Sequence, residues 1–489
     1  MYVRDTLREP VGERHVASAA DEDLTPLGRP LTPAEARHFL SRTSFGSTDI
    51  ALAELETLGL ERYVDRMLDV NRFPGVAAIE AEAQSIIDDP PHPEFEQEGA
   101  EWTYIILRTP NPFQEAMAVF WNGHFGASFD TTEIGSRYFA SEYLRLVRGE
   151  ATGNFEELVA QVSTSKLMLQ FLNGFGGTRD APNENFAREL WELFTLGRDN
   201  GYTQADIVQA ARSFTGFNRR FEDGIDTRVL VDYEPDRHDS GDKQIFGRTL
   251  EGRAGDDGVK EYRDVVELTF TARDPASWIS RKLWEHFVYL DPSENLVRTL
   301  AERLRAYDFE VAPFLRMVFS SKAFFSPAAM VGIAKSPVDY VAGFLRTTRL
   351  QLELEHLVNV LRRMGQLPGY PPGVDGWPSG KLWLSASQLV KRASLVGGTI
   401  ATMPPDALDH LLPPAGQRSK AQIVTVLTEH LNVSIEPEER RLYEESLDTG
   451  PDQSALSARP FNGDDLDVVR QRVASLLYLL AQHPDYHLR

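Results

Sequence analysis

Two stretches of this chain bring together side chains that move protons or hold ions. His238-Asp239-Ser240-Gly241-Asp242-Lys243 supplies a base or ligand, a carboxylate that can orient it, and a cation for developing negative charge. Gly241 allows a turn that returns Lys243 toward His238. The second stretch, Asn183 to Gly197, has helical spacing, with Phe186, Leu190, Leu193 and Phe194 on one face and an i, i+4 ladder of Glu184, Arg188 and Glu192 opposite. Glu189 falls at the rim of the apolar face, where a carboxylate is costly unless paired or hydrogen-bonded. It reads either as an inward ligand or general acid/base, or as half of a structural ion pair. In Phe120-Trp121-Asn122-Gly123-His124-Phe125, His124 falls among Phe113, Met117 and Phe120 and is predicted to point inward. It is then a satisfied core histidine, or a proton carrier facing the same interior as Glu189.

Each motif also has a structural reading. The Glu184, Arg188 and Glu192 ladder fits a solvated salt-bridge ridge worth tenths of a kcal/mol per pair, and surface loops often carry His, Asp and Lys together. Asn173-Gly174-Phe175-Gly176-Gly177-Thr178 has backbone N–H groups that could hold an anion at a helix start, but its spacing matches neither the P-loop nor the dinucleotide fingerprint, so a connector is favoured. The sequence has no H-E-x-x-H, EF-hand loop, G-x-S-x-G elbow or repeated Glu-x-x-His pair.

The elements that must position these residues are predicted to be helical. Leu31-Thr32-Pro33-Ala34-Glu35 combines an N-cap, a first-turn proline and a capping-box glutamate, opening a helix to about Arg42. Helical spacing recurs over Glu94–Leu107, Phe113–Phe125, Gly135–Val147, Phe155–Leu172, Asn183–Leu196 and Gln204–Phe217, and through most of the chain to Gln482. The fold expected is multi-helical and mostly α, with one irregular or β insertion at 218–257 holding short strands near Arg228–Tyr233 and Lys243–Phe246. A second break, Gly365–Gly380, is dense in Gly and Pro, and its Tyr370 and Trp377 imply that it packs against something. Residues 1–30 read as a flexible polar leader. Residues 31–330 read as the main helical region and 331–489 as a C-terminal helical region, unless the two form one continuous domain.

The chain has 489 residues, 51 Lys plus Arg, 73 Asp plus Glu and no Cys, for a net charge of −22. Such acidity argues against nucleic-acid and membrane-surface roles. The lack of cysteine removes disulfides, thiol nucleophiles and thiolate metal sites together. The start lacks the apolar region of a signal peptide, and no apolar run nears the roughly 18 residues of a spanning helix, so the chain as written is expected to be cytoplasmic.

The motifs in order are His38-Phe39-Leu40-Ser41-Arg42-Thr43-Ser44-Phe45-Gly46, Phe120 to Phe125, Asn183 to Gly197, and Ala211-Arg212-Ser213-Phe214-Thr215-Gly216. They continue with His238-Asp239-x-Gly-x-Lys243, Lys282-Leu283 with Phe287-Val288, Lys335-Ser336-Pro337, Gly365-Gln366 and Pro371-Pro372-x-Val374-x-Gly376-Trp377. In this order the chain, over about residues 31 to 395, resembles the large bacterial family known as domain of unknown function 1800. The resemblance implies a mostly helical fold and a bacterial source, and supplies candidate residues without a reaction. Many relatives look exported and sit beside proteins similar to sulfatases and phosphatases. Here no signal peptide is visible, Gly373 stands where relatives often carry Asn, and Asp339 where they often carry Glu.

The leading expectation is a helical enzyme, a hydrolase, using His/Asp/Glu acid–base or metal-assisted chemistry. Glu184, Glu189, His238 and Asp239 are its predicted catalytic residues: Glu189 or His238 is the general base, and Asp239 orients His238. His124, Asn183, Asn185, Arg188, Lys243 and Trp377 are its predicted substrate contacts, with Arg188 or Lys243 stabilising an oxyanion or phosphate. A divalent metal on His and carboxylate is permitted but not required, and the ligand is a small molecule or polysaccharide. The competing expectation is a non-catalytic scaffold or a carbohydrate-binding protein with Trp377 and Tyr370 as its platform. Catalysis requires the 184–189, 238–243 and 124 segments to meet at one accessible pocket.

Overall fold

The computed structural model describes residues 21–88, 96–130, 136–222, 228–330, 332–452 and 454–489; residues 1–20 of the expected leader lie outside them. Among the described residues there are 22 α-helices and two antiparallel sheets of two strands each, so the fold is mostly α. Both sheets lie in the expected 218–257 insertion, apart from Phe217 at its edge. Phe217–Glu222 pairs with Arg228–Tyr233, and Lys243–Ile245 with Arg248–Leu250. Among the described residues no helix is long and apolar enough to cross a membrane.

Local chemistry sets many helix ends. Thr32 closes a full capping box with Glu35, starting Pro33–Thr43 where the sequence predicts. The expected single helix over 155–172 is instead two, Phe155–Ser163 and Lys166–Phe171, because Ser165 adopts an extended backbone and caps the second through Met168 N. The 183–196 helix also changes character. It is α-helical over Glu184–Glu189 and then widens to a π-turn over Leu190–Thr195, in which the Thr195 hydroxyl donates to the Leu190 carbonyl at 2.5 Å. Residues 21–30 are tied down, with Leu27 N donating to Ser320 O and Lys322 N to Thr25 O.

One contiguous apolar core runs from Phe39 to Tyr486, with Trp102, Trp121, Trp191 and Trp284 fully buried. Each large side chain so buried contributes roughly 1.5–3 kcal/mol. The Gly365–Gly380 break lies across the C-terminal end of the Pro112–Phe125 helix. Phe129 N donates to Gly369 O at 2.7 Å, and a β-carbon at Gly376 would overlap the Gly123 carbonyl oxygen. Only glycine lets two backbones approach so closely. A β-carbon at Gly123 would in turn sit 3.2 Å from the Trp377 ring, so this crossing lays Trp377 against the helix that carries His124.

Burial also makes the fold sensitive to acid. His38 is 3% exposed and its Nε2 meets the Phe324 carbonyl at 2.9 Å. Burial, reinforced by Arg42, lowers its pKa from 6.5 to about 3. Between these values the unfolded chain binds a proton that the folded chain refuses, so stability is lost as pH falls, by about 1.4 kcal/mol per pH unit for this group. His38→Phe should therefore make unfolding stability between pH 6 and 4 less steep by about that amount. Urea titrations at several pH values measure the slope, and an unchanged slope would mean that His38 is not a buried neutral imidazole.

Candidate functional site

The His238 to Lys243 segment folds around a residue that spacing alone does not reveal, Glu261 at the start of Glu261–Ala272. Glu261 and Lys243 are both 0% exposed, and the Lys243 ammonium donates to the Glu261 carboxylate and to the Asp239 carbonyl. His238 Nδ1 donates to the Thr215 carbonyl at 2.9 Å, while its Nε2 stands 3.2 Å from Glu261 Oε1, off the line of a hydrogen bond. Asp239 turns away and takes Arg212 Nε and Nη2 at 2.6 and 2.9 Å. Burial pushes the Glu261 carboxyl up, but its contacts with His238 and Lys243 and the Arg253 backbone N–H outweigh that and hold it below its usual range. Asp239 and Arg212 thus join two of the quoted motifs, and the group ties the β insertion to the helical body.

In the Asn183 to Glu189 segment the polar side chains cap and pair. Asn183 Oδ1 accepts from Asn185 N at 2.9 Å and its amide donates to the Leu172 and Asn173 carbonyls, while Asn185 itself is exposed. Arg188 Nη2 reaches Glu184 at 3.1 Å and Gln204 at 3.0 Å, with both charged side chains 38% exposed. Glu189 is half-buried on another side. Its pKa is raised by burial first, then by the carboxylates of Glu192 and Asp375.

Asp375 leads to the cavity. A space of about 300 Å³ lies between the Pro112–Phe125 helix, the Pro275–Phe287 helix and the Gly365–Gly380 segment, and His124 and Trp377 line it with Lys282, Glu285, His286 and Asp375. His124 is 5% exposed, and its Nε2 donates to the Phe194 carbonyl at 2.9 Å, a group at the end of the π-turn. That bond leaves the Nδ1 lone pair facing Lys282 Nζ at 3.4 Å. Burial, then Lys282, drives the His124 pKa far below its ordinary value. Burial lowers Lys282 from 10.5 to about 8, with Glu285 and Asp375 opposing the shift. Burial raises Glu285.

The positioning is again helical. Trp278, Lys282, Glu285 and His286 follow i, i+4, i+7, i+8 spacing on one face. The Trp278 indole donates to the Leu193 carbonyl at 2.9 Å and its ring lies under the Lys282 ammonium at 4.7 Å, while the His286 ring packs 5.0 Å from Phe120. Lys282, Glu285 and His286 are absent from the sequence-based candidates. A Trp-x3-Lys-x2-Glu-His pattern beside Ile279, Leu283 and Phe287 is the signal that could have found them.

The structure therefore gathers His124 and Trp377 at one cavity and puts Glu189 within electrostatic reach of its mouth. It sets Asn183, Glu184, Asn185 and Arg188 on a capped and paired surface. His238, Asp239 and Lys243 pack around Glu261 and Arg212, outside that cavity's lining. Among the described residues, no three His, Asp or Glu side chains group to hold a metal ion. A larger cavity, of about 600 Å³, is lined by arginines already engaged: Arg66 pairs with Glu54, and Arg346 donates to the Ile106, Leu107 and Thr109 carbonyls.

Two substitutions separate packing from surface pairing. Lys243→Met strands the buried Glu261 carboxylate and should cost about 3–5 kcal/mol in denaturant unfolding. Arg188→Ala, on a half-exposed pair, should stay within about 0.5 kcal/mol. Equal effects would remove the distinction drawn between the two segments.

Comparison with curated proteins and with solved structures gives no match. The Glu261 network and all of the cavity's lining except Arg489 fall inside residues 38–488, the span over which the chain matches the family described as protein of unknown function (DUF1800), and the chain belongs to that family.

Proposed function

We propose that this protein is an acid–base enzyme, a hydrolase, working in the cavity between His124, Lys282, Glu285, Asp375 and Trp377. The observation that carries this reading is the Lys282 ammonium, lowered to about 8 and held 3.4 Å from the His124 Nδ1 lone pair on the wall of an open cavity. A lysine near pKa 8 is charged at neutral pH yet gives up its proton readily. Trp377 and the apolar side of Phe120 supply a surface for the less polar part of a substrate.

In this mechanism Asp375, the exposed carboxylate at the mouth, takes a proton from a water molecule as that water attacks. Lys282 gives its proton to the oxygen of the departing group. The bond from the attacked atom to that oxygen breaks and the water oxygen takes its place. Asp375 then releases its proton to solvent and Lys282 takes one up. His124, its tautomer fixed by the Phe194 carbonyl, orients the ammonium. The rival reading, carbohydrate binding without turnover, draws on Trp377 and Trp383, which both line the cavity.

A panel of chromogenic esters and glycosides tests the proposal. Hydrolysis should depend on Lys282, with Lys282→Met losing roughly 10²–10⁴-fold in kcat/KM while retaining its circular dichroism. Because the acid must be protonated, kcat/KM should fall as pH rises through about 8. Turnover that ignores both the substitution and the alkaline limb would reject this assignment. Sugar binding with no turnover of any substrate would favour the rival.

A further inference from the structure

Behind the end of the same cavity that Arg489 and Asp339 line lies an imbalance of charge that the acid–base reading does not use. Arg42 and Arg392 are 0% exposed, Arg489 7% and Lys335 9%. The carboxylate these four cations share is Asp339, whose Oδ1 accepts from Arg489 Nη1 at 3.0 Å and whose Oδ2 accepts from Ser336 N at 3.0 Å. Other contacts are to neutral groups: Arg392 Nη1 meets His487 Nδ1 at 3.2 Å, and the rest go to carbonyls. Arg392 Nη2 donates to Lys335 O and Trp383 O, Lys335 Nζ to Tyr486 O, Arg489 Nη2 to His286 O, and Arg42 Nη2 to Ala329 O. Even with an α-carboxylate counted at residue 489, the cluster keeps a positive balance.

Buried nitrogens are left over as well. Arg42 Nε and Nη1, Arg392 Nε, Arg489 Nε and His286 Nε2 are buried atoms without a partner. Buried unpaired donors on charged groups cost several kcal/mol, so folds avoid them unless something else meets them. Two of the five, Arg489 Nε and His286 Nε2, belong to side chains that line the cavity, and Ser336 and Gln366 line the same end. Arg489 is held rigidly by Asp339 on one side and the His286 carbonyl on the other. Its guanidinium is therefore pre-ordered, and an arriving ligand meets little ordering cost. Glu285 and Asp375, the other carboxyl groups on the wall, lie toward Lys282.

We infer that the Arg489 end of the cavity is an oxyanion site, in which Arg489 and His286, backed by Arg42, receive a carboxylate, phosphate or sulfate group of the ligand. This rests on the acid–base reading only for the further step that the ligand is a substrate. Its class is then an anionic small molecule or acidic oligomer, anchored by its charge at Arg489 with its scissile bond toward Lys282. Arg489 and His286 line one space, and a guanidinium beside an imidazole suits the oxygens of such a group.

Calorimetric titration of the full-length chain with inorganic phosphate and with sulfate, ionic strength held constant with chloride, is the test. One-to-one binding is expected, weakened at least tenfold by Arg489→Met and at least threefold by His286→Phe, and unchanged by Arg188→Ala, which lies outside the cavity's lining. Arg489 also ties down Asp339, so the His286→Phe arm keeps the test valid if the arginine variant does not fold. Failure of both anions to bind the wild-type chain, or binding indifferent to the His286 substitution, overturns the inference. The two proposals fail separately. Lys282-dependent hydrolysis of neutral esters without phosphate binding or inhibition would sink the oxyanion site alone. Phosphate binding that depends on His286, beside a complete lack of Lys282-dependent turnover, would sink the acid–base reading alone. Among ligands, preference for an acidic oligosaccharide over free phosphate would identify a polymer-borne group as the source of the anion.

Discussion

The hydrogen bond from His124 to the Phe194 carbonyl joins two of the walls from which the cavity is built. Phe194 is available because the 184–195 helix ends in a π-turn, whose carbonyls lack regular helical partners and must be met by something else. Trp278 meets one, His124 another, and Asn200 meets that of Leu196. Satisfying these groups draws the Pro275–Phe287 and Pro112–Phe125 helices against the turn. It also fixes which imidazole nitrogen of His124 faces Lys282.

The third wall depends on close backbone approach. With glycine at 123 and 376, the Gly365–Gly380 segment crosses the end of the His124 helix and delivers Trp377 and Asp375 to the cavity. A larger residue at either position would push this segment outward and open the space. The many breakers in the segment thus serve a packing requirement, since a helix there could not lie so near another backbone.

Two buried groups of charges illustrate opposite solutions to desolvation. Around Glu261, one carboxylate accepts from a lysine and a backbone N–H, so the burial is compensated and the region is sealed. Around Asp339, one carboxylate faces several cations beside an open cavity. The first arrangement strengthens the fold. The second spends stability on a receptive surface, as functional sites commonly do.

Helical class, the Thr32 start, the β insertion and the inward direction of His124 were legible in the sequence, because they follow from local spacing and capping chemistry that act within a turn or two. The resemblance to the family was legible for the same reason, since motifs are contiguous. The break in the 155–172 helix and the π-turn were not, as each depends on one hydroxyl choosing a backbone partner. Tertiary structure alone decided which polar motifs share a space. His238 and Lys243 meet Glu261, a residue 18 positions beyond Lys243, and His124 meets Lys282 across 158 positions. A carboxylate's role is set by the charges and solvent around it, and those come from segments distant in the chain, so composition and spacing could name the residues but not their partners.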